Sequence, residues 1–290
     1  RLDSAPTDPD RIVAVDVLFP VLHGPYGEDG TVQGLLELAN LPYVGAGVLA
    51  SAAAMDKGIM KDLFVRHGLP TPRYRTFRRH EWLGAKDVVI ATIEAELGYP
   101  VFVKPANLGS SVGVHKCRDR QQLEHGFTDA AQYDRKIIVE EAIPDPREFE
   151  VSVLGNADPV ASLPGEILPS REFYDYQAKY LDDTSQLLIP APVDEGLVAE
   201  MRRLALQAYR AGDAQGMARV DFFWSRATGR LYVNELNTIP GFTRISMYPK
   251  LWEASGLPYP ALLDRLIQLA LERWQQKQAL RTSYEPPGTG

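Results

Sequence analysis

Residues 219–241 read RVDFFWSRATGRLYVNELNTIPG, and their order suggests chemistry. The segment alternates like a β-hairpin, with a glycine-containing turn at residues 227–230 between two apolar strands. Glu235 and Asn237 are two residues apart and therefore share a face of their strand. With the turn centred near Thr228, Asp221 falls almost opposite Glu235, so three oxygen-bearing side chains converge. Carboxylates that close repel one another unless a cation or a proton lies between them. A hard divalent ion such as Mg²⁺, held by a few side-chain oxygens and a substrate phosphate, would satisfy them. Taken alone, the same hairpin reads more simply as a charged, solvent-facing strand pair.

Other segments carry similar ambiguity. VKPANLGSSVGV, residues 103–114, reads as strand, Gly/Ser loop, strand. Backbone N–H groups of such a loop can form an anion-binding concavity, and Lys104 could add a point charge on a phosphate. The plain alternative is a hairpin with a long polar loop. It is no Walker loop, which needs Gly-Lys-Ser/Thr entering a helix, and the short GAG at residues 45–47 is no dinucleotide fingerprint. MDKG places Lys57 on a helix, where a lysine is ordinarily solvated. HGPYGEDG, with His23 and Glu28, is mostly turn chemistry. IVEEAIPDPREFEV joins two strands through a Pro-rich connector that could present backbone donors and acceptors to an adenine, or be a plain linker. REFYDYQAKY, residues 171–180, is aromatic, charged and aperiodic, as lid loops often are.

The elements that must position these groups follow from the wider pattern. The 290 residues suggest about two domains. A hydrophobic share of 45% and a charged share of 24% are ordinary for a globular chain. The net charge of −7 is mixed along the sequence, with no basic block that would suggest a nucleic-acid partner. Cys117 is the single cysteine, which excludes an intramolecular disulfide framework and a Cys-based zinc site. The five histidines lack metal-ligand spacing. The apolar run at 12–22 is too short to span a membrane and carries Asp16, and no secretory signal opens the sequence. That run reads as a buried strand. Helices are expected at 32–39, 49–67, 91–97, 193–211 and 260–276. Strands are expected at 41–47 and from residues 101, 112, 136 and 148, before the hairpin. The mixture is α/β at the start and α+β afterwards.

In this order, HGPYGEDGTVQGLLEL, LPYVGAG, MDK, VKPANLGSSVGV, FYDYQAKY, ARVDFFW and NELNTIPGFT resemble the D-alanine–D-alanine ligases of the ATP-grasp superfamily. The resemblance runs from about residue 15 to 270, far more specific than any one motif. It implies an ATP-grasp fold with a partial N-terminal parallel α/β domain at residues 1–50. A central subdomain at 51–140 and a C-terminal subdomain at 141–284 would follow, while the terminal EPPGTG at 285–290 reads by itself as a disordered tail. It implies that Lys57, Lys104 and Lys179 contact nucleotide phosphates under a loop carrying Ser110 and Ser111. Glu140, Glu141 and Ile143 would line the adenine pocket, and Glu148 would bind ribose. Asp221, Glu235 and Asn237 would hold two Mg²⁺ ions, with Mn²⁺ able to substitute. Arg219 and the N–H of Gly241 would stabilise a tetrahedral intermediate. Ser246 and Met247 would receive the carboxylate of the second substrate, His23 and Glu28 would sit at the substrate end, and Tyr180 on the lid would bridge toward Ser110.

The activity implied is ATP-dependent joining of two D-alanines through a D-alanyl phosphate, for peptidoglycan precursors, by a cytoplasmic homodimer. Two other readings stay open: the same mechanism with D-lactate or D-serine as acceptor, and a nucleotide-binding relative without turnover. YDYQAKY resembles the dipeptide-forming type. The family normally begins with a strand, a Gly-rich turn and an acidic residue for the first substrate's amine. No such segment precedes Arg1, so an upstream segment is expected to complete that pocket.

Overall fold

A computed structural model describes residues 14–109, 111–168, 186–243 and 245–281. Two antiparallel sheets organise them. The first has four strands in the order β1–β4–β2–β3: β1 (Tyr74–Arg78), β2 (Val101–Pro105), β3 (His115–Cys117) and β4 (Lys136–Glu141). The second has six. β10 (Leu231–Asn237) pairs with β9 (Gly216–Ser225), then follow β5 (Pro146–Gly155), β7 (Gly165–Leu168) and β8 (Gln186–Leu188), while β6 (Val160–Ala161) pairs with β5.

Each sheet buries its apolar face under helices. On the four-stranded sheet, α4 (Arg79–Glu96) and α5 (Arg120–Tyr133) supply Ile90, Ile93, Leu123 and Phe127 to a core with Val101, Val103, Ile137 and Val139. On the six-stranded sheet, α6 (Glu195–Ala211) lays Met201, Leu204, Ala205 and Ala208 against Val151, Val153, Val220 and Val233. That 3.6-residue spacing is why α6 is a surface helix with one buried stripe. Its N-terminus is capped by Asp194, whose side chain accepts from Leu197 N. The long α8 (Tyr259–Gln278) buries Leu262, Leu266, Leu269 and Ala270 with Tyr248 and Trp252 of α7 (Met247–Ala254).

Between the sheets lies α3 (Lys57–Arg66). The expected single helix over 49–67 is two helices: α2 (Val48–Met55) ends at Asp56, whose extended backbone breaks the run. The Asp56 carboxylate then caps α3 by accepting from Gly58 N and Ile59 N, and it takes an ion pair from Lys136 Nζ at 2.7 Å. A Cβ on Gly58 would stand 2.7 Å from Thr76 and 3.1 Å from Lys136 Nζ, so only glycine lets α3 sit this close to the first sheet.

Other expectations need correction. Where strands were expected at 12–22 and 41–47, the described residues make one parallel bridge, Leu18 to Tyr43, closed by Leu18 N to Pro42 O at 2.9 Å and Val44 N to Leu18 O at 2.8 Å. α1 (Thr31–Leu38) lies where a helix was expected. The helix expected at 91–97 begins at Arg79, with a kink at Ala85. The strand expected from Val112 begins at His115, because residues 111–113 form a turn. α5 and α7 were not foreseen.

Candidate functional site

The hairpin has the register read from its sequence. Asp221 pairs with Glu235 and Arg219 with Asn237. The register shifts between Val233 and Glu235, which leaves Asn234 as the extra residue of a bulge, a device that re-aims neighbouring side chains. Arg219 Nε and Nη2 donate to the two Asp221 oxygens, each at 2.7 Å, and Asn237 Nδ2 donates to Asp221 Oδ2 at 3.0 Å. A third acid joins from β5: Glu150 lies opposite Asp221, with its carboxylate 3.0 Å from Arg219 Nε. Burial alone would lower the Arg219 pKa; Asp221 and Glu150 overcome it and hold the guanidinium charge well beyond the usual range.

Two carboxylates and an amide on adjoining register positions form a hard-oxygen donor set, and that set fits Mg²⁺. Among the described residues, no three His, Cys, Asp or Glu side chains converge on a metal position. A cation here would therefore take Asn237 as its third protein ligand and complete its shell with substrate oxygens.

A second group approaches the hairpin from α3 and the Gly/Ser loop. Lys57 Nζ lies 3.8 Å from Glu235 and donates to Leu108 O at 2.9 Å, so it fastens the loop to the carboxylate side. Ser111 has φ 59° and Gly113 φ 69°, which turn the loop back toward β3. For serine that left-handed conformation is strained, a condition that clusters at ligand clamps. A Cβ on Gly109 would lie 3.8 Å from Glu28 Oε1, which places the loop beside the 23–30 turn. Glu28 accepts from Gly24 N at 2.9 Å, and His23 Nδ1 donates to Ile239 O at 3.0 Å. Burial raises the Glu28 pKa, against the lowering effects of that backbone bond, His23 and Lys57.

Lys104 and Glu140 meet on the first sheet at 2.7 Å. Glu140 is 3% exposed and also faces Lys61 Nζ at 3.4 Å. Burial would raise its pKa, but Lys104 and Lys61 more than offset that and hold the carboxyl below the ordinary glutamate range. Glu141, next in the strand, points to the other face. There its carboxylate binds Arg73 Nε at 2.6 Å, so its side chain is separated from Glu140. Ile143 lies in the connector between the sheets, and Glu148, near the start of β5, pairs in register with Phe223.

At the far end of the hairpin, a Cβ on Gly241 would stand 2.7 Å from Ser246 Oγ. Ser246 precedes α7, and its Oγ accepts from Thr243 N at 2.9 Å. The Met247 side chain is buried with Ile167 and Leu251, so its polar contribution is confined to a backbone N–H at the start of α7. Ser110, Lys179, Tyr180 and the lid at 172–181 lie outside the described residues. Sequence reading missed Lys61, Glu150 and Gln33. Lys61 falls one turn after Lys57 and Glu150 two residues after Glu148, spacings that place each on the face of a residue already singled out. Gln33, buried in α1, ties the 23–30 turn by donating to Gly27 O at 2.9 Å.

Comparison with known proteins bears on this geometry. The family model for the D-ala D-ala ligase C-terminus matches residues 63–268, and that for the D-ala D-ala ligase N-terminus matches residues 3–46. The chain is 57% identical to the D-alanine–D-alanine ligase of Heliobacterium modesticaldum over 94% of its own length and 75% of the relative's. It is 58% identical to that of Solibacter usitatus, over 94% and 82% of the two chains. Among solved structures, the D-alanine-D-alanine ligase from Coxiella burnetii superposes with a TM-score of 0.80 at 40% identity, covering 93% of this chain and 73% of the other. The VanG D-Ala:D-Ser ligase from Enterococcus faecalis superposes with a TM-score of 0.81 at 39% identity, covering 90% and 74%. These solved relatives share the ATP-grasp architecture expected for the two sheets. With both family models matched and identities above half along nearly its whole length, the chain belongs to the D-alanine–D-alanine ligase family.

Proposed function

We propose that the chain joins two D-alanines at the expense of ATP, giving D-alanyl-D-alanine, ADP and phosphate, as a step in peptidoglycan precursor synthesis. One observation carries this most directly: Asp221 and Glu235 face each other across the hairpin while Lys57 reaches Glu235 and the Gly/Ser loop together. Hard oxygens, an ammonium and a Gly/Ser loop brought together in this way support a reading in which a triphosphate binds there.

The roles follow from position. Asp221, Glu235 and Asn237 would hold Mg²⁺, two ions by the family resemblance; when bound, the metal neutralises charge on the transferring phosphoryl group. Lys57 and Lys104 would contact the phosphates, with Ser111 in the loop above and Ser110 and Lys179 assigned by resemblance alone. Glu140, Glu141 and Ile143 would border adenine, Glu141 through its backbone, and Glu148 would take the ribose. The carboxylate of the first D-alanine attacks the γ-phosphorus, ADP leaves, and a D-alanyl phosphate forms. The amine of the second D-alanine attacks its carbonyl carbon, loses a proton, and phosphate departs. Arg219 and the Gly241 N–H would meet the developing oxyanion, a contribution of about 3 kcal/mol per donor in other enzymes. Ser246 and the Met247 N–H would receive the acceptor's carboxylate at the start of α7, where backbone donors favour an anion. His23 and Glu28 would border the amino-acid end, with Tyr180 closing from the lid to keep water from the acyl phosphate.

The separation of the two sheets in sequence between Glu141 and Pro146 supports a boundary between central and C-terminal subdomains near residue 140. Use of ATP supports a cytoplasmic setting, and no described helix is long and apolar enough to cross a membrane. Homodimer assembly is carried from the resemblance. Acceptor choice is tested by offering D-alanine, D-lactate and D-serine in competition and identifying products by mass spectrometry. D-Alanyl-D-alanine should dominate at neutral pH; a depsipeptide or a D-Ala-D-Ser product in excess would assign another acceptor.

A further inference from the structure

Lys61 has no place in the roles above, yet it is 1% exposed and lies between the two halves of the site. Its ammonium makes three contacts: Thr71 Oγ1 at 3.1 Å, Asn234 O at 3.2 Å and Glu140 Oε1 at 3.4 Å. The first two are hydrogen bonds and the third is an ion pair. Every contact leads to a different part of the molecule. Glu140 belongs to the four-stranded sheet, and its other oxygen receives Lys104 Nζ at 2.7 Å. Asn234 is the bulged residue of the six-stranded sheet, and Glu235 follows it directly. Thr71 lies on the segment before β1, where Pro70 O also accepts from Val233 N at 2.7 Å.

Lys61 stands on α3 four residues after Lys57, so the two lysines share a face one turn apart. Lys57 reaches Glu235 and the Gly/Ser loop; Lys61 holds the backbone before Glu235 and the carboxylate beside Lys104. Packing alone does not require a charge here. The neighbouring Met60 already seats α3 on β10, with its sulfur accepting from Leu236 N at 3.2 Å. An ion buried this deeply is expensive unless fully paired, and an apolar side chain of similar volume would commonly serve stability as well.

We propose that Lys61 is a positioning residue of the nucleotide site, which fixes the Glu140–Lys104 pair of one sheet against the Glu235 bulge of the other. This rests on the assignment of Lys104 and Glu235 to the nucleotide and its metal. Lys61 itself touches neither. Its role is the spacing between the phosphate-binding ammonium and the metal-binding carboxylate, and it acts on ATP rather than on the amino acids bound farther along the hairpin.

The test is calorimetric titration of the full chain with MgATP in the absence of D-alanine, beside steady-state kinetics. Lys61→Met keeps the length and removes the charge. It should weaken MgATP binding by about tenfold or more, the scale seen when groups supporting metal ligands are removed. The KM for ATP should rise in step, with the KM for D-alanine within about twofold and an unchanged far-ultraviolet circular dichroism spectrum. Thr71→Val leaves the lysine and removes one neutral partner, and it should weaken MgATP about threefold, the effect of one such hydrogen bond. A merely structural lysine would lower the amount of active enzyme and leave both KM values alone. If the unaltered chain fails to bind MgATP, the nucleotide assignment itself is wrong. If it binds and both variants bind as tightly, the assignment stands and the role of Lys61 is overturned. Should Lys61→Met fail to fold, Thr71→Val decides: unchanged MgATP affinity overturns the proposal.

Discussion

Glu140 is held between two lysines with almost no access to water, and its charge state is set by them. Its carboxyl is depressed below the ordinary value of 4.5, so it contributes stability above that pH and loses the contribution as pH falls through its lower folded value. Glu140→Gln, which leaves the buried Lys61 and the half-buried Lys104 without their acid, should destabilise the chain by about 3 kcal/mol at pH 7. That difference should shrink as pH drops below 4.5. Urea unfolding of both proteins across pH 3.5–7 checks it; a pH-independent difference would contradict the depressed carboxyl. At the other end of the site, Gly241→Ala pushes a methyl toward Ser246 Oγ and shifts the backbone donor assigned to the oxyanion. Its kcat should fall about 100-fold, the scale of losing one such donor, with unfolding changed little. At this scale the sequence was readable where the period of a strand places residues together. Asp221, Glu235 and Asn237 were found that way. Glu150 and Lys61 were not: spacing puts them on the faces of Glu148 and Lys57, but their partners, Arg219 and Asn234, are brought to them only by the pairing of β5 with β9 and by the docking of α3.

α3 carries Lys57 and Lys61, and its start is fixed by Asp56, which caps the helix and pairs with Lys136. Two substitutions separate these jobs. Asp56→Asn keeps a capping oxygen and removes the charge, while Asp56→Ala removes both. The alanine variant should be less stable than the asparagine variant by about 1 kcal/mol, the worth of an N-cap. Both should bind MgATP more weakly than the parent, because the first turn of α3 aims Lys57. Chemical denaturation and nucleotide titration read the two effects separately. With its first stop signals at Gly68 and Pro70, the sequence suggests one continuous helix across residues 49–67; the break comes from the Asp56 side chain competing for backbone N–H groups, a known habit of aspartate at helix starts. α5 was missed although Leu123, Phe127 and Ala130 mark its buried stripe, because RQQLEHGFTDAAQY is polar enough between them to resemble a loop. α7 was missed because MYPKLWEA has a proline in its first turn, where a helix tolerates it.

Across the whole molecule, the groups proposed to hold the nucleotide come from both sheets and from the helix between them, so binding should tie the halves together. At about 100 times its Kd, MgATP should add about 2.7 kcal/mol to stability. For a chain of this size that raises the Tm by about 4 °C in a thermal scan. Excess EDTA should remove most of that rise and abolish turnover, with Mg²⁺ restoring both; a rise insensitive to EDTA would mean that the hairpin carboxylates hold no metal for the nucleotide. The two-sheet plan was legible only through the ordered set of motifs, since short strands such as β3, β6 and β8 carry too few residues to show a period. The most direct test of the central claim is phosphate release with ATP, Mg²⁺ and D-alanine, with the product identified by mass spectrometry. We expect D-alanyl-D-alanine in step with phosphate, and loss of both by about 100-fold or more in Asp221→Ala. A chain that binds MgATP yet forms no dipeptide, or an Asp221→Ala variant that forms it undiminished, would contradict the ligase site described on the hairpin.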